Sequence, residues 1–144
     1  MQYSQTSAKM AMALGIFLPI VETIRRSNQL LELAYFLDWF DDYLLGALLI
    51  ITAYNALKCK KDAKLYLLIV WSIAVGGHFL SCLGQLKYYF SSIDDPGIFS
   101  THLVLVVKLG ILLYMLVGLR LSLKDFKTER SESLKSIHDQ QPKS

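Results

Sequence analysis

Cysteine is nearly absent from this chain: Cys59 and Cys82 are the only two in 144 residues. Two thiols are too few for a zinc site, which needs about four Cys, His or acidic ligands at close spacing. They do not suggest a disulfide either, because Cys59 falls in a basic loop and Cys82 inside a long apolar run, at different expected depths. A glycine-rich phosphate loop and a nucleophile elbow are also missing. Ser81 follows His78 by three residues, a spacing that permits a hydrogen bond on one helix but builds no oxyanion hole. No catalytic residue, no metal and no cofactor is therefore expected, and the chain reads as non-enzymatic. Charge is sparse as well, at 19% of residues, with 15 basic and 12 acidic side chains giving a net charge of +3. The basic ones collect beside apolar runs, where they report membrane topology rather than a nucleic-acid surface.

What the sequence has in abundance is apolar residues, 53% of the total, gathered in blocks with a mean hydropathy of +0.38. Four blocks are long enough to cross a bilayer, which takes about 20 residues. They predict helices over about 8–26, 37–57, 65–86 and 101–123. The first has an apolar core only from Met10 to Val21, the length of a signal-peptide core, but it lacks a small-x-small cleavage pattern and runs directly into Glu22, Arg25 and Arg26. It is read as an uncleaved span, kinked at Pro19, with the freed carbonyl satisfied by a neighbour or a side chain. Ser27 to Phe40 is amphipathic and suits the interface, and Asp94-Asp95-Pro96-Gly97 is a turn signal. The polar stretch 128–144 is expected to be a disordered cytoplasmic tail. The fold class that follows is all-α: a polytopic membrane protein built as an antiparallel four-transmembrane-helix bundle over residues 1–127.

The third block is the expected centre. Trp71, Ala74, His78, Ser81 and Gln85 fall on one helical face, and Ala74, Gly77, Ser81 and Gly84 are small enough to let another backbone approach. Lysines and arginines favour one side: Lys9, Lys58, Lys60, Lys61, Lys64 and the basic residues after the last span oppose only Arg25, Arg26 and Lys87. By the positive-inside rule both termini are cytoplasmic.

In that orientation every span carries one ionisable residue in the outer half of the bilayer. At about 1.5 Å of rise per residue, Glu22 lies about 6 Å below the outer end of its helix, Asp42 about 7 Å, His78 about 12 Å and Lys108 about 10 Å. A charged group near the membrane centre costs roughly 2.5 kcal/mol or more, so such residues are paired or line a wet cavity. The expected site is a polar pocket open to the outside, formed by His78, Lys108, Asp42, Asp41, Glu22, Ser81 and Gln85. Asp38, Asp41 and Asp42 share a helical face, where a nearby cation such as Lys108 would relieve their repulsion. The plainer reading pairs Glu22 with Arg25 or Arg26 three and four residues on, and lets Lys108 snorkel outward. His78 either pairs with an aspartate of the second span or gives one hydrogen bond to a helix carbonyl or to Ser81. A bis-histidine haem from His78 and His102 is disfavoured, because His102 sits about 1.5 Å from the start of its helix and so at another depth.

The run FLDWFDDYLLGALLIITAYNALK from Phe36 to Lys58, with LPIVETIRR before it, resembles a pattern in small uncharacterised bacterial membrane proteins with four predicted helices. That resemblance implies a bacterial inner-membrane location and no activity. Two functions fit the residues: a protein that binds an ion or small ligand in the outer pocket, transporter-like or sensory, or a structural accessory subunit that packs in the bilayer against a larger membrane complex or copies of itself.

Overall fold

In the computed structural model the apolar blocks form four helices: α1 (Gln2–Arg25), α2 (Phe36–Leu57), α3 (Ala63–Phe90) and α4 (Thr101–Asp139). The structure describes residues 2–27, 36–60, 62–93, 95 and 97–139, except for the side chains of 2–4, 36–39, 129 and 132–139. Most of the expected interfacial segment, the Asp38 side chain, and Asp94 and Pro96 of the turn lie outside the described residues. All four helices contain a stretch long and apolar enough to cross a membrane, of 21, 18, 28 and 28 residues in chain order.

The helix ends depart from the sequence reading in one direction: α1, α3 and α4 are longer than their apolar cores. The largest difference is α4, which continues to Asp139, where disorder was expected from residue 128. Composition there is polar, yet Lys, Glu, Arg and Leu are good helix formers and the segment holds neither glycine nor proline, so a helix already nucleated by the apolar part can propagate through it. The α2–α3 turn is short because Cys59 and Asp62 both take the left-handed backbone conformation, with φ of 50° and 58°.

α1 packs mainly on α2, and α3 mainly on α4. The α1–α2 seam turns on two glycines. A Cβ on Gly15 would lie 2.7 Å from the Gly46 carbonyl, and one on Gly46 would lie 2.7 Å from the Gly15 carbonyl and 2.9 Å from Pro19 Cγ. Gly15 is four residues before Pro19, so its carbonyl is the one that proline leaves without a helical N–H. That oxygen faces Gly46 across the seam.

At one end of the molecule Trp71 fastens α3 to two other helices. Its indole Nε1 donates to Ser7 Oγ of α1 at 3.0 Å, and Ser7 Oγ donates to the Gly118 carbonyl of α4 at 3.1 Å. Ser7 and Trp71 are wholly buried, and Gly118 has no Cβ because the Trp71 ring occupies that space. The core continues through Ala8, Ala11, Leu49, Ala53, Leu67 and Met115. Large apolar side chains point outward on all four helices, among them Ile16, Ile51, Ile73, Leu80, Val106 and Leu113.

Candidate functional site

The other end of α1 is charged. Glu22 and Arg25, in the last turn of the helix, and Arg26, the residue after it, are each nearly buried. Arg25 Nη1 donates to both Glu22 carboxylate oxygens at 3.0 Å, and Arg26 Nε donates to Oε1 of the same group. These are the i+3 and i+4 pairs anticipated for Glu22. The rest of the network was not: Arg25 Nη2 donates to Asp95 Oδ2 at 2.8 Å, and Gln85 Nε2 of α3 donates to the same oxygen at 3.0 Å. Asp95 is further held by the Gly97 N–H at 2.9 Å, while its own N–H reaches Thr101 Oγ1. Burial alone would push the Asp95 carboxyl up, but the Arg25 hydrogen bond, the Gly97 N–H and the Gln85 amide together hold it below its ordinary value of 3.8. The Arg25 carbonyl accepts the Ile98 N–H at 3.1 Å. Through Arg25 the α3–α4 connection is pinned onto the end of α1.

Beside this network the four residues expected at a common depth meet around one cavity. Glu22, Asp42, His78 and Lys108, one from each helix, line a space of about 170 Å³ together with Arg25 and the Phe99 ring. The surface presented to this cavity is almost wholly apolar, because Glu22 and Arg25 spend their polar atoms on each other and on their ion-pair partners. Its importance is as a junction. Asp42 and His78 also line a second cavity of about 240 Å³ between α2 and α3, with Asp41, Gly77, Ser81 and the apolar side chains Leu44, Leu45, Leu48 and Ile73. There the polar groups do face the space.

His78 Nε2 stands 3.0 Å from the backbone carbonyl of Lys108, a residue of the first cavity. Of the alternatives open from sequence, the carbonyl is the partner, and it belongs to α4 rather than to the histidine's own helix. A carbonyl only accepts, so Nε2 carries the proton and Nδ1 of the neutral ring is an acceptor. Nδ1 has no hydrogen-bond partner among the described residues, and neither does the Asp42 carboxylate. Lys108 does not snorkel freely: its Nζ donates to Ser81 Oγ at 2.8 Å. Asp41 sits at the rim, with Oδ1 accepting the Asp42 N–H at 2.8 Å.

Two sequence assignments change. Gln85 belongs to the Asp95 network rather than the pocket, and it is 2% exposed. Ser81 is exposed, and the buried stripe of α3 runs Trp71, Ala74, His78, Cys82 and Gln85, because the i+4 step from His78 leads to Cys82. His102, weighed as a haem ligand, packs edge-on against Tyr89 with ring centroids 4.8 Å apart and lines neither cavity. A further space of about 440 Å³ between α1 and α4 is apolar, and its one hydroxyl, on Tyr114, donates to the Met10 carbonyl.

No protein-family model matches the chain, and no curated protein or solved structure matches it either.

Proposed function

We propose that this chain is an integral membrane protein, an antiparallel bundle with both termini in the cytoplasm, that holds an ion or small polar ligand in a pocket in the outer half of the bilayer. The observation that carries this reading is the cavity between α2 and α3, in which the Asp42 carboxylate and His78 Nδ1 are unpartnered among the described residues. A carboxylate left unpaired in a low-dielectric setting is costly, and such groups face water or a ligand. Four long apolar helices with outward-pointing apolar side chains support the bilayer setting. The distribution of lysine and arginine supports the orientation. The resemblance of Phe36–Lys58 to small bacterial membrane proteins supports an inner-membrane location. In this setting a transporter-like or sensory role follows from a site reached from outside.

A residue kept for binding is poorly placed for stability, and this gives the test. Asp42→Leu, measured by thermal unfolding without added ligand, should leave stability unchanged or raise it, because it removes an unpaired carboxylate. A loss of about 3 kcal/mol or more would mark Asp42 as half of a structural pair and remove the binding reading.

A second reading, a structural subunit that packs against a partner or another copy, has one observation in its favour. Ala74 is covered by the protein's own helices, but Gly77, Ser81 and Gly84 are exposed, and a Cβ on Gly77 or Gly84 would meet nothing within 4 Å. Particle mass in lipid nanodiscs, with Gly84→Leu as the blocking variant, distinguishes the two: a complex that Gly84→Leu dissolves supports this second reading.

A further inference from the structure

The donors and acceptors around the α2–α3 cavity restrict what it can hold, and this step rests on the pocket reading above. Asp42 offers a carboxylate, His78 offers the Nδ1 lone pair, and Asp41 offers its second oxygen. Ser81 Oγ is already accepting from Lys108, so its own hydroxyl hydrogen is the one side-chain donor left on this wall among the described residues. A ligand that satisfies the wall must therefore bring donors.

Charge points the same way. Glu22 and Asp95 are balanced by Arg25 and Arg26 within their own network. Asp41 and Asp42, the two carboxylates of the cavity, face a single ammonium, Lys108. With both carboxylates ionised one negative charge is left over, and a monovalent cation brings the site to neutrality.

Metal cations fit this wall poorly. Hard cations such as sodium, potassium, magnesium and calcium take oxygen ligands, and an imidazole nitrogen is out of place among them. Transition metals would use the imidazole, but among the described residues no three His, Cys, Asp or Glu side chains converge to hold one. The remaining wall is leucine and isoleucine, and at about 240 Å³ the space is below the roughly 300–1,000 Å³ of drug-sized sites.

We infer that the pocket takes a small primary alkylammonium, its N–H groups shared between the Asp42 carboxylate and His78 Nδ1 and its short alkyl chain against Leu45, Leu48 and Ile73.

The test uses the full chain in lipid nanodiscs at constant ionic strength, with n-propylammonium as the probe and thermal unfolding as the readout, since a ligand that binds only the folded state raises its melting temperature. Tetramethylammonium carries the same charge with no N–H, and sodium and potassium are further controls. The expected result is saturable stabilisation by propylammonium alone, with apparent affinity weakened roughly tenfold or more in Asp42→Asn and in His78→Phe, as loss of a charge-assisted hydrogen bond implies. Asp42→Asn is nearly isosteric, so it remains informative if the histidine variant misfolds. Equal stabilisation by tetramethylammonium or sodium, lost in Asp42→Asn, would overturn the alkylammonium class while leaving a cation pocket in place. Absence of saturable stabilisation by every one of these ions would overturn both.

Discussion

The two ends of α1 are held by opposite means. At the Ser7 end three helices meet through neutral hydrogen bonds, indole to hydroxyl to carbonyl, with every participant buried. At the Glu22 end the joint is ionic, with Arg25 bridging two carboxylates and tying the α3–α4 connection to the helix. The neutral end is filled: the Trp71 ring occupies the space a side chain would take on Gly118. The charged end leaves cavities beside it, because ionic groups demand specific partners and keep their distance from groups that are not partners. Within a bilayer there is little hydrophobic drive between helices, so packing and hydrogen bonds carry the association. The difference teaches that one end is closed by packing and neutral hydrogen bonds, and that the other is held by ion pairs and leaves the Asp42 carboxylate and His78 Nδ1 without hydrogen-bond partners among the described residues beside it.

Removing the bridge should have the largest effect. Arg25→Leu strips Asp95 and Glu22 of a shared cation in a buried place, which costs about 3–5 kcal/mol when the other charges stay behind. Urea or thermal unfolding in nanodiscs would read it, and a loss under about 1 kcal/mol would mean that water already screens the network. Next comes the seam between the two ends, where Gly15→Ala puts a methyl against the Gly46 carbonyl and Ile50 and should cost about 1–3 kcal/mol by overpacking. Neutral replacement there without loss would contradict the close approach of α1 and α2.

Acid should act on the ionic end and leave the neutral end untouched. Asp95 titrates below its ordinary value of 3.8 when folded, so its contribution is complete above that pH and is lost as the pH falls through the lower, folded value. Thermal stability of the wild type should therefore decline more steeply below about pH 4 than that of Asp95→Asn. Parallel profiles would show that Arg25 does not stabilise the Asp95 carboxylate. The smallest change belongs to the neutral end: Ser7→Ala removes two interhelical hydrogen bonds of about 0.6 kcal/mol each, for a loss of about 1 kcal/mol with no dependence on pH.

The four helices were legible because each is written as a long apolar block, and length against bilayer thickness is a strong constraint. The convergence of Glu22, Asp42, His78 and Lys108 was legible by counting rise from the helix ends, and all four line one cavity. Asp95 was hidden because it looked like part of a turn, and its cation lies 70 residues away. The Ser7, Trp71 and Gly118 joint was hidden for a related reason: hydrogen bonds between helices depend on the rotation of each about its axis, which apolar blocks do not encode. Polar composition concealed the extension of α4, since the residues that keep a chain soluble are also good helix formers. At Gln85 the error was one of height, because sharing a face with His78 did not place it at the same level, and two turns further on it reaches Asp95.

The proposed pocket must be wet and open to the outside, and cysteine labelling measures both at once because maleimides react with the thiolate, which forms in water and not in lipid. Cys59, exposed in the α2–α3 turn, is a native reference for the side that the proposed topology assigns to the cytoplasm. In intact cells a membrane-impermeant maleimide should label Ser81→Cys, placed in a background without Cys59 and Cys82, while Cys59 in the native chain should react only after the membrane is opened. Labelling of Cys59 from outside, or failure of Ser81→Cys to react from either side, would contradict an outward aqueous pocket.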